Sequence, residues 1–186
     1  MKSLSLLTGL LIAFVATASD WTEPKEVRMR RDKVVSYRAM LAGDTLVIEA
    51  THEDGWHSYA MDNRIRAREA SGKETPECEL PTRIEVSGPL SIVGPWRQSD
   101  PADLSNTDIK WYTFGFNNVA YFATKVKRDG DGEATVRIHA QACNESKCSM
   151  VDGLELVLPV SGDSEDAEAP VDLDALVEVA TETPAE

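Results

Sequence analysis

Hydrophobic and polar residues alternate in short segments along most of the chain, as they do in half-buried β-strands. The clearest example is residues 134–142, where every second side chain is apolar. Other β-rich segments lie at residues 34–39, 45–50, 83–86, 119–126 and 154–160. Many short strands without a long helical period predict an all-β fold, an antiparallel β-sandwich, with a β-barrel as the alternative.

Turn and loop residues separate these segments. The composition of residues 129–132, Asp-Gly-Asp-Gly, predicts a hairpin turn. Residues 62–79 are polar and predict a long excursion, and the three prolines of residues 87–108 predict loops with short extended pieces. We therefore expect an N-terminal lead-in at residues 19–33 and the sandwich itself at residues 34–160.

Residues 161–186 form an acidic tail with nine acidic side chains and no Lys or Arg, so the composition predicts a mostly disordered segment. One part of it differs. Apolar side chains follow Pro170 at helical spacing, which predicts a short amphipathic helix. These side chains are Leu173, Leu176, Val177 and Ala180.

The first 18 residues have the features of a secretory signal peptide. Lys2 provides a positive charge, residues 4–15 are mostly apolar, and Ala16-Thr17-Ala18 is a small-residue cleavage site. The apolar run is shorter than the roughly 20 residues that a membrane span needs. We expect cleavage after Ala18, no membrane span in the mature chain and a periplasmic or secreted location.

The chain carries a formal net charge of −13. Most of that charge lies in the tail, so residues 19–160 are only mildly acidic. Nucleic-acid binding needs a basic surface, which the composition does not supply. A Gly-rich phosphate loop and a serine–histidine or paired-carboxylate hydrolase pattern are also missing from the sequence, and no cofactor is predicted.

Two of the three cysteines, Cys143 and Cys148, flank four turn-forming residues at the end of the clearest strand. A hairpin-like turn would bring them within disulfide distance. Exported proteins often use such pairs as structural staples. A disulfide in so short a loop stabilises by only about 2 kcal/mol, and a turn is accessible to an attacking thiolate, so thiol–disulfide exchange is the other interpretation. Lys147 would favour a thiolate at Cys148.

Cys78 is the unpaired cysteine, and we expect a buried or shielded thiol that takes no part in the pair. The neighbouring Glu77 and Glu79 argue against a low thiol pKa, because like charges disfavour the thiolate.

Two segments resemble one protein family. Residues 141–148, Gln-Ala-Cys-Asn-Glu-Ser-Lys-Cys, resemble the Y-Q-x-C…C segment of the N-terminal periplasmic domain of the transmembrane thiol:disulfide interchange protein DsbD. Residues 54–59, Asp-Gly-Trp-His-Ser-Tyr, resemble the G-W-H-x-Y segment of that family. The resemblance runs from about Val34 to Val160. It implies an immunoglobulin-like sandwich and a cysteine pair that passes electrons from a membrane-embedded donor to oxidised periplasmic proteins.

The resemblance also implies roles for single residues. Cys148 falls on the position that engages the downstream partner, and Cys143 becomes the resolving thiol. Tyr59 matches an aromatic residue that packs beside the pair, and we expect His57 to be a packed or hydrogen-bonded ring. The aromatic segment 111–116 corresponds to a family loop that covers the disulfide, with Phe114 as the expected cap.

The sequence departs from the family pattern at three places. Ala140 stands where the family has an aromatic residue, and Ser149-Met150 stands where prolines are common. No membrane domain or thioredoxin-like domain follows residue 160, which implies a free-standing version. Its electron donor would be a separate membrane or soluble protein, and its acceptors would be thioredoxin-like or other disulfide-bearing proteins.

Two other functions stay open. One is an immunoglobulin-like interaction module with a structural disulfide, because sandwiches support many functions. The other is a periplasmic metal-binding protein, since the chain has ligand types suited to copper or zinc. Their spacing matches no standard zinc pattern, so no metal site is predicted. The ligand types are those of His52, His57, Met61, His139, Cys143 and Cys148.

Overall fold

A computed structural model of the chain describes residues 21–74, 76, 78–161 and 169–182. The predicted signal peptide lies outside the described residues. Two antiparallel sheets form most of the described chain, and this confirms the predicted β-sandwich. No helix within these ranges is long and apolar enough to cross a bilayer.

The first sheet has the order β1-β2-β3-β10-β7-β13, with β6 also paired to β10. Its strands are β1 (Lys25–Met29), β2 (Asp32–Ala42), β3 (Thr45–His52), β6 (Leu90–Ile92), β7 (Arg97–Gln98), β10 (Val119–Arg128) and β13 (Val177–Glu178). The expected lead-in therefore contains a strand: β1 pairs with β2 across the turn at residues 30–31.

The second sheet has the order β12-β11-β4-β9-β8, with β5 paired to β11 beside β4. Its strands are β4 (His57–Tyr59), β5 (Arg83–Ser87), β8 (Ala102–Asp103), β9 (Phe114–Asn117), β11 (Gly132–Cys143) and β12 (Cys148–Val160). Strand β12 lies at the edge of this sheet, so one side of its backbone has no neighbouring strand within the described sheet.

The core lies between the two sheets, where the inner side chains interlock. Ala134, Val136 and Ile138 of β11 are fully buried, as the alternating pattern predicted. Phe116 of the second sheet meets Phe122 of the first edge-to-face, with ring centroids 5.5 Å apart. Burying an aliphatic or aromatic side chain of this size stabilises the fold by roughly 1.5–3 kcal/mol.

The excursion between β4 and β5 contains the helix α1 (Asn63–Ser71), which the sequence pattern did not predict. It ends at Gly72 in the left-handed conformation. The helix is strongly polar and buries only Asn63 and Ala67, so its apolar periodicity is too weak to reveal it. Tertiary contacts of its first turn hold it in place.

Asp62 is the centre of those contacts, and its side chain is fully buried. Its carboxylate accepts hydrogen bonds from Arg66 Nε (2.8 Å), Gln98 Nε2 (2.7 Å) and the backbone N–H of Ala180 (3.1 Å). One side chain thus joins α1, β7 and the C-terminal segment. A buried carboxylate is tolerated only with such compensation.

Residues 169–182 of the C-terminal segment are packed against the first sheet, so the prediction of a mostly disordered tail is wrong for these residues. Leu173–Ala175 forms a 3₁₀-helix, and Val177–Glu178 pairs with β7, so the predicted amphipathic helix is wrong. Leu176 is buried against Val47 and Ala123. An apolar patch on the first sheet therefore overrides the helical spacing of the segment.

Replacing Asp62 with Ala should lower the free energy of unfolding by about 2–4 kcal/mol, because it leaves the buried Gln98 amide and the half-buried Arg66 guanidinium without their acceptor. The matched control is Asp44→Ala, which removes an exposed carboxylate paired with Lys125 and should cost less than about 1 kcal/mol. Denaturant unfolding measures both values. Equal stability of the Asp62→Ala variant and the wild type would contradict this account of the network.

Candidate active site

Cys143 and Cys148 form a disulfide at the tip of the β11–β12 hairpin. They are directly opposed in the strand register, and their Cα atoms lie 4.0 Å apart. The four residues between them form the turn that the sequence suggested. The backbone N–H of Asn144 donates to the carbonyl of Lys147 (2.9 Å), and Asn144 Oδ1 accepts from the N–H groups of Ser146 and Lys147 (3.0 Å each).

The two cysteines differ in exposure. Cys143 is 2% exposed, because β11 lies between β12 and β4. Cys148 is exposed at the start of the edge strand β12. Thiol–disulfide exchange requires an attacking thiolate to reach one sulfur. Cys148 is therefore the accessible end of this disulfide.

Gln141 and Glu79 lie beside the sulfurs. The Gln141 amide nitrogen donates to Glu79 Oε2 (2.8 Å) and lies 3.4 Å from Cys143 Sγ, within the range of a sulfur hydrogen bond. A carboxylate oxygen of Glu79 and both sulfurs all lie within 4.8 Å of one another. The pair thus has an amide donor and a carboxylate within reach.

Glu79 is fixed by its backbone as well as by its side chain. Its carbonyl accepts from Asn63 Nδ2 (2.9 Å), and the N–H of the next residue, Leu80, donates to Gln141 Oε1 (3.0 Å). Asn63 is fully buried and also accepts from the N–H of Phe114 (2.7 Å). The polar excursion therefore delivers a carboxylate to the disulfide in a defined position.

His57 and Tyr59 belong to the neighbouring strand β4, and His57 is opposite Cys143 in the register. His57 Nε2 lies 3.1 Å from the Tyr59 hydroxyl, and the rings meet edge-to-face. Burial lowers the pKa of His57. Burial raises the pKa of Tyr59, and the charge of Glu79 raises it further. Both shifts favour the neutral form of the ring, and both side chains lie on the face of the sheet that carries Cys143.

The remaining histidines lie in other surroundings. His52 is buried, with Nδ1 donating to the carbonyl of Asn118 (2.9 Å) and Nε2 accepting from the Ser58 hydroxyl (2.8 Å). Burial lowers the pKa of His52. His139 faces Asp152, 3.2 Å away. Neither ring joins Glu79 and the cysteines in the group of ligand atoms described above.

Lys147 occupies a position that the sequence did not anticipate. Its ammonium group lies over the ring of Trp56, 5.8 Å from the centroid, in cation–π contact. This contact ties the hairpin turn to the segment before β4. Lys147 thus has a second role besides the predicted electrostatic support of a Cys148 thiolate.

Cys78 is a free, half-buried thiol in the described structure. Burial raises its pKa, the guanidinium of Arg64 opposes that effect, and the charge of Glu79 adds to it. The net increase matches the expectation that Cys78 is not an activated nucleophile. Glu79, by contrast, was missed as a site residue, because its 64-residue separation from Cys143 gave no signal in the sequence.

In the strand register, the aromatic segment 111–116 is not on the row of paired residues that contains the disulfide. Trp111 forms a bridge with Asn106, and Phe114 pairs with Asp103 of β8. In β9 the residue opposite His57 is Asn117. Phe114 lies three residues away from Asn117 and therefore faces the other side of the sheet, the side on which Phe116 enters the core.

No family profile and no curated protein matches the sequence. Solved structures that are similar to the chain include the following two. The N-terminal periplasmic domain of ScsB from Proteus mirabilis is 15% identical, with a TM-score of 0.52 over 84% of this chain and 56% of that chain. The reduced N-terminal domain of DsbD from Neisseria meningitidis is 12% identical, with a TM-score of 0.44 over 69% of this chain and 84% of that chain.

The chain thus spans little more than half the length of the ScsB structure. At this level of identity the similarity establishes the fold. The chain shares the β-sandwich fold of the N-terminal periplasmic domain of ScsB.

Replacing Phe114 with Ala should leave the rate of disulfide reduction by a small thiol within about twofold of the wild-type rate, because Phe114 and Cys143 point to opposite faces of the sheet and access governs the rate. Stopped-flow reduction with dithiothreitol measures the rate. Tyr112→Ala, another half-buried aromatic of the same segment, is the control. A large acceleration confined to Phe114→Ala would restore Phe114 as the cap over the disulfide.

Proposed function

We propose that this protein is an exported thiol–disulfide exchange domain that passes electrons from a donor to oxidised proteins through Cys143 and Cys148. The observation that carries the proposal is the asymmetry of the pair, with one sulfur exposed on an edge strand and the other buried beside an amide donor. Such a disulfide has one sulfur to attack and one prepared to leave.

In the reducing half of the cycle, a donor thiolate attacks Cys148 Sγ. A mixed disulfide forms between the donor and Cys148, and the Cys143 sulfur leaves as a thiolate. The Gln141 amide is placed to donate to that thiolate. A second donor thiol then attacks the donor sulfur of the mixed disulfide and releases the Cys148 thiolate, so the donor is oxidised and the pair is reduced.

In the oxidising half, the Cys148 thiolate attacks the disulfide of an acceptor and forms a second mixed disulfide. The Cys143 thiolate then attacks Cys148 Sγ, which releases the acceptor thiolate and restores the original disulfide. Cys143 must lose a proton before it attacks. The Glu79 carboxylate lies close enough to receive that proton after a small side-chain movement.

The same geometry weakens the interpretation of the disulfide as a structural staple. Twelve register pairs already join β11 and β12, and only four residues lie inside the loop that the disulfide closes. In the loop-entropy calculation such a bond contributes about 2 kcal/mol. A staple also gains nothing from a carboxylate and an amide beside its sulfurs.

The cellular setting belongs to the proposal. A signal peptide at residues 1–18 would export the chain, and the ScsB domain that shares its fold is periplasmic. Thioredoxin-like or other disulfide-bearing proteins are the proposed partners, with a separate protein as electron donor. The packed segment 169–182 belongs to the folded unit in this proposal, so the domain extends beyond residue 160.

Mixed-disulfide trapping tests the proposal directly. In a Cys78→Ser background, Cys143→Ala removes the resolving thiol, so the protein should accumulate disulfide cross-links to partners when expressed with a functional export signal. Cys148→Ala should yield none, because the remaining Cys143 is buried. Non-reducing electrophoresis and mass spectrometry identify the products.

Three other results have defined meanings. Cross-links through Cys143 alone would reverse the two roles. A structural staple predicts no cross-links from either variant and a stability loss of about 2 kcal/mol in both. Folded variants that never cross-link would favour the interaction module.

A further inference from the structure

The carboxylate of Glu79 lies beside two sulfurs that become thiols when the disulfide is reduced. One Glu79 oxygen, Cys143 Sγ and Cys148 Sγ all lie within 4.8 Å of one another. Two thiolates and a carboxylate are ligands that Zn²⁺ accepts in proteins. In the disulfide form the sulfurs carry no thiolate charge, and a metal ligand must be deprotonated.

We propose that the reduced protein binds one Zn²⁺ ion through Cys143, Cys148 and Glu79, and that the oxidised protein does not. The fourth coordination position remains available to water or to another molecule. This site requires only that the disulfide can be reduced, so it goes beyond the proposed exchange function and is tested separately from it.

Reduction must separate the two sulfurs before they can meet the geometry of zinc. Zn–S bonds of about 2.3 Å and Zn–O bonds of about 2.0–2.2 Å place tetrahedral ligand atoms roughly 3.5–3.8 Å apart. In the oxidised protein the sulfurs are covalently bonded at about 2 Å and a Glu79 oxygen lies within 4.8 Å of both, so after reduction the sulfurs must move apart by roughly 1.5 Å. Cys148 is exposed on an edge strand, so its side chain is free to rotate once the S–S bond is broken.

A second layer of contacts holds the Glu79 ligand. Gln141 donates to the Glu79 carboxylate, which fixes its orientation, and Asn63 holds the Glu79 carbonyl. Hydrogen bonds of this kind orient metal ligands and raise metal affinity.

Zinc binding and disulfide exchange would exclude one another. Reduction of the disulfide takes two electrons and two protons from a donor dithiol, which becomes a disulfide. Zn²⁺ then displaces the two thiol protons. Transfer of two electrons from the coordinated thiolates to an acceptor disulfide forms the Cys143–Cys148 bond again and releases the ion. The oxidation state of the pair would thus control zinc binding.

Cobalt titration tests this proposal, because Co²⁺ reports thiolate ligation by charge-transfer absorption. Metal-free protein in the Cys78→Ser background, reduced with a phosphine, should bind one Co²⁺ with such a band, and Zn²⁺ should displace it. The same chain in its oxidised form should show no band. That comparison needs no substitution in the site, so a folding defect cannot imitate the result.

Glu79→Gln should weaken Co²⁺ and Zn²⁺ binding at least about tenfold, the lower range seen when the support of a metal site is lost. The control is Glu145→Gln, which removes an exposed carboxylate of the same hairpin turn and should change affinity less than twofold. Absence of the band in the reduced protein would overturn the site. Equal affinity of Glu79→Gln and the wild type would overturn Glu79 as a ligand.

Discussion

The register of β11 against β12 decides where the two cysteines meet. Ile138 pairs with Leu154 and His139 pairs with Asp152, so Gly153 has no partner in the ladder. This bulge shifts every later pair by one residue. Without it Cys143 would face Ser149, and the two cysteine side chains would point to opposite faces. Gly153 has a φ of 73°, which glycine adopts without a steric cost.

The position of the hairpin within the sheet explains the difference between the two sulfurs. Strand β11 has neighbours on both sides and buries Cys143, whereas β12 is the edge strand and exposes Cys148. The excursion after β4 adds Glu79, held through Asn63 and Gln141. One sheet edge thus brings together an exposed sulfur, a buried sulfur, a hydrogen-bond donor and a carboxylate, the groups that the proposed exchange would use.

Local sequence features predicted the parts of the fold that depend on local order. Alternation in residues 134–142 identified β11, and the four turn-forming residues between the cysteines indicated the hairpin that carries them. The helix α1 depends on the distant contacts of Asp62, and the docked segment 169–182 depends on Asp62 and on the apolar patch formed by Val47 and Ala123. No local periodicity in the sequence encodes these contacts. The position of Glu79 beside the disulfide and the position of Phe114 on the core side of β9 also depend on contacts between distant parts of the chain, so the sequence did not predict them.

The reduction potential of the Cys143–Cys148 disulfide tests the central claim most directly. It is measured by equilibrating the Cys78→Ser protein with defined ratios of reduced and oxidised glutathione or dithiothreitol and quantifying the free thiols. An exchange site predicts a potential above about −300 mV, where partner proteins can reduce and reoxidise the pair. A potential below about −300 mV would identify a structural bond and contradict the account.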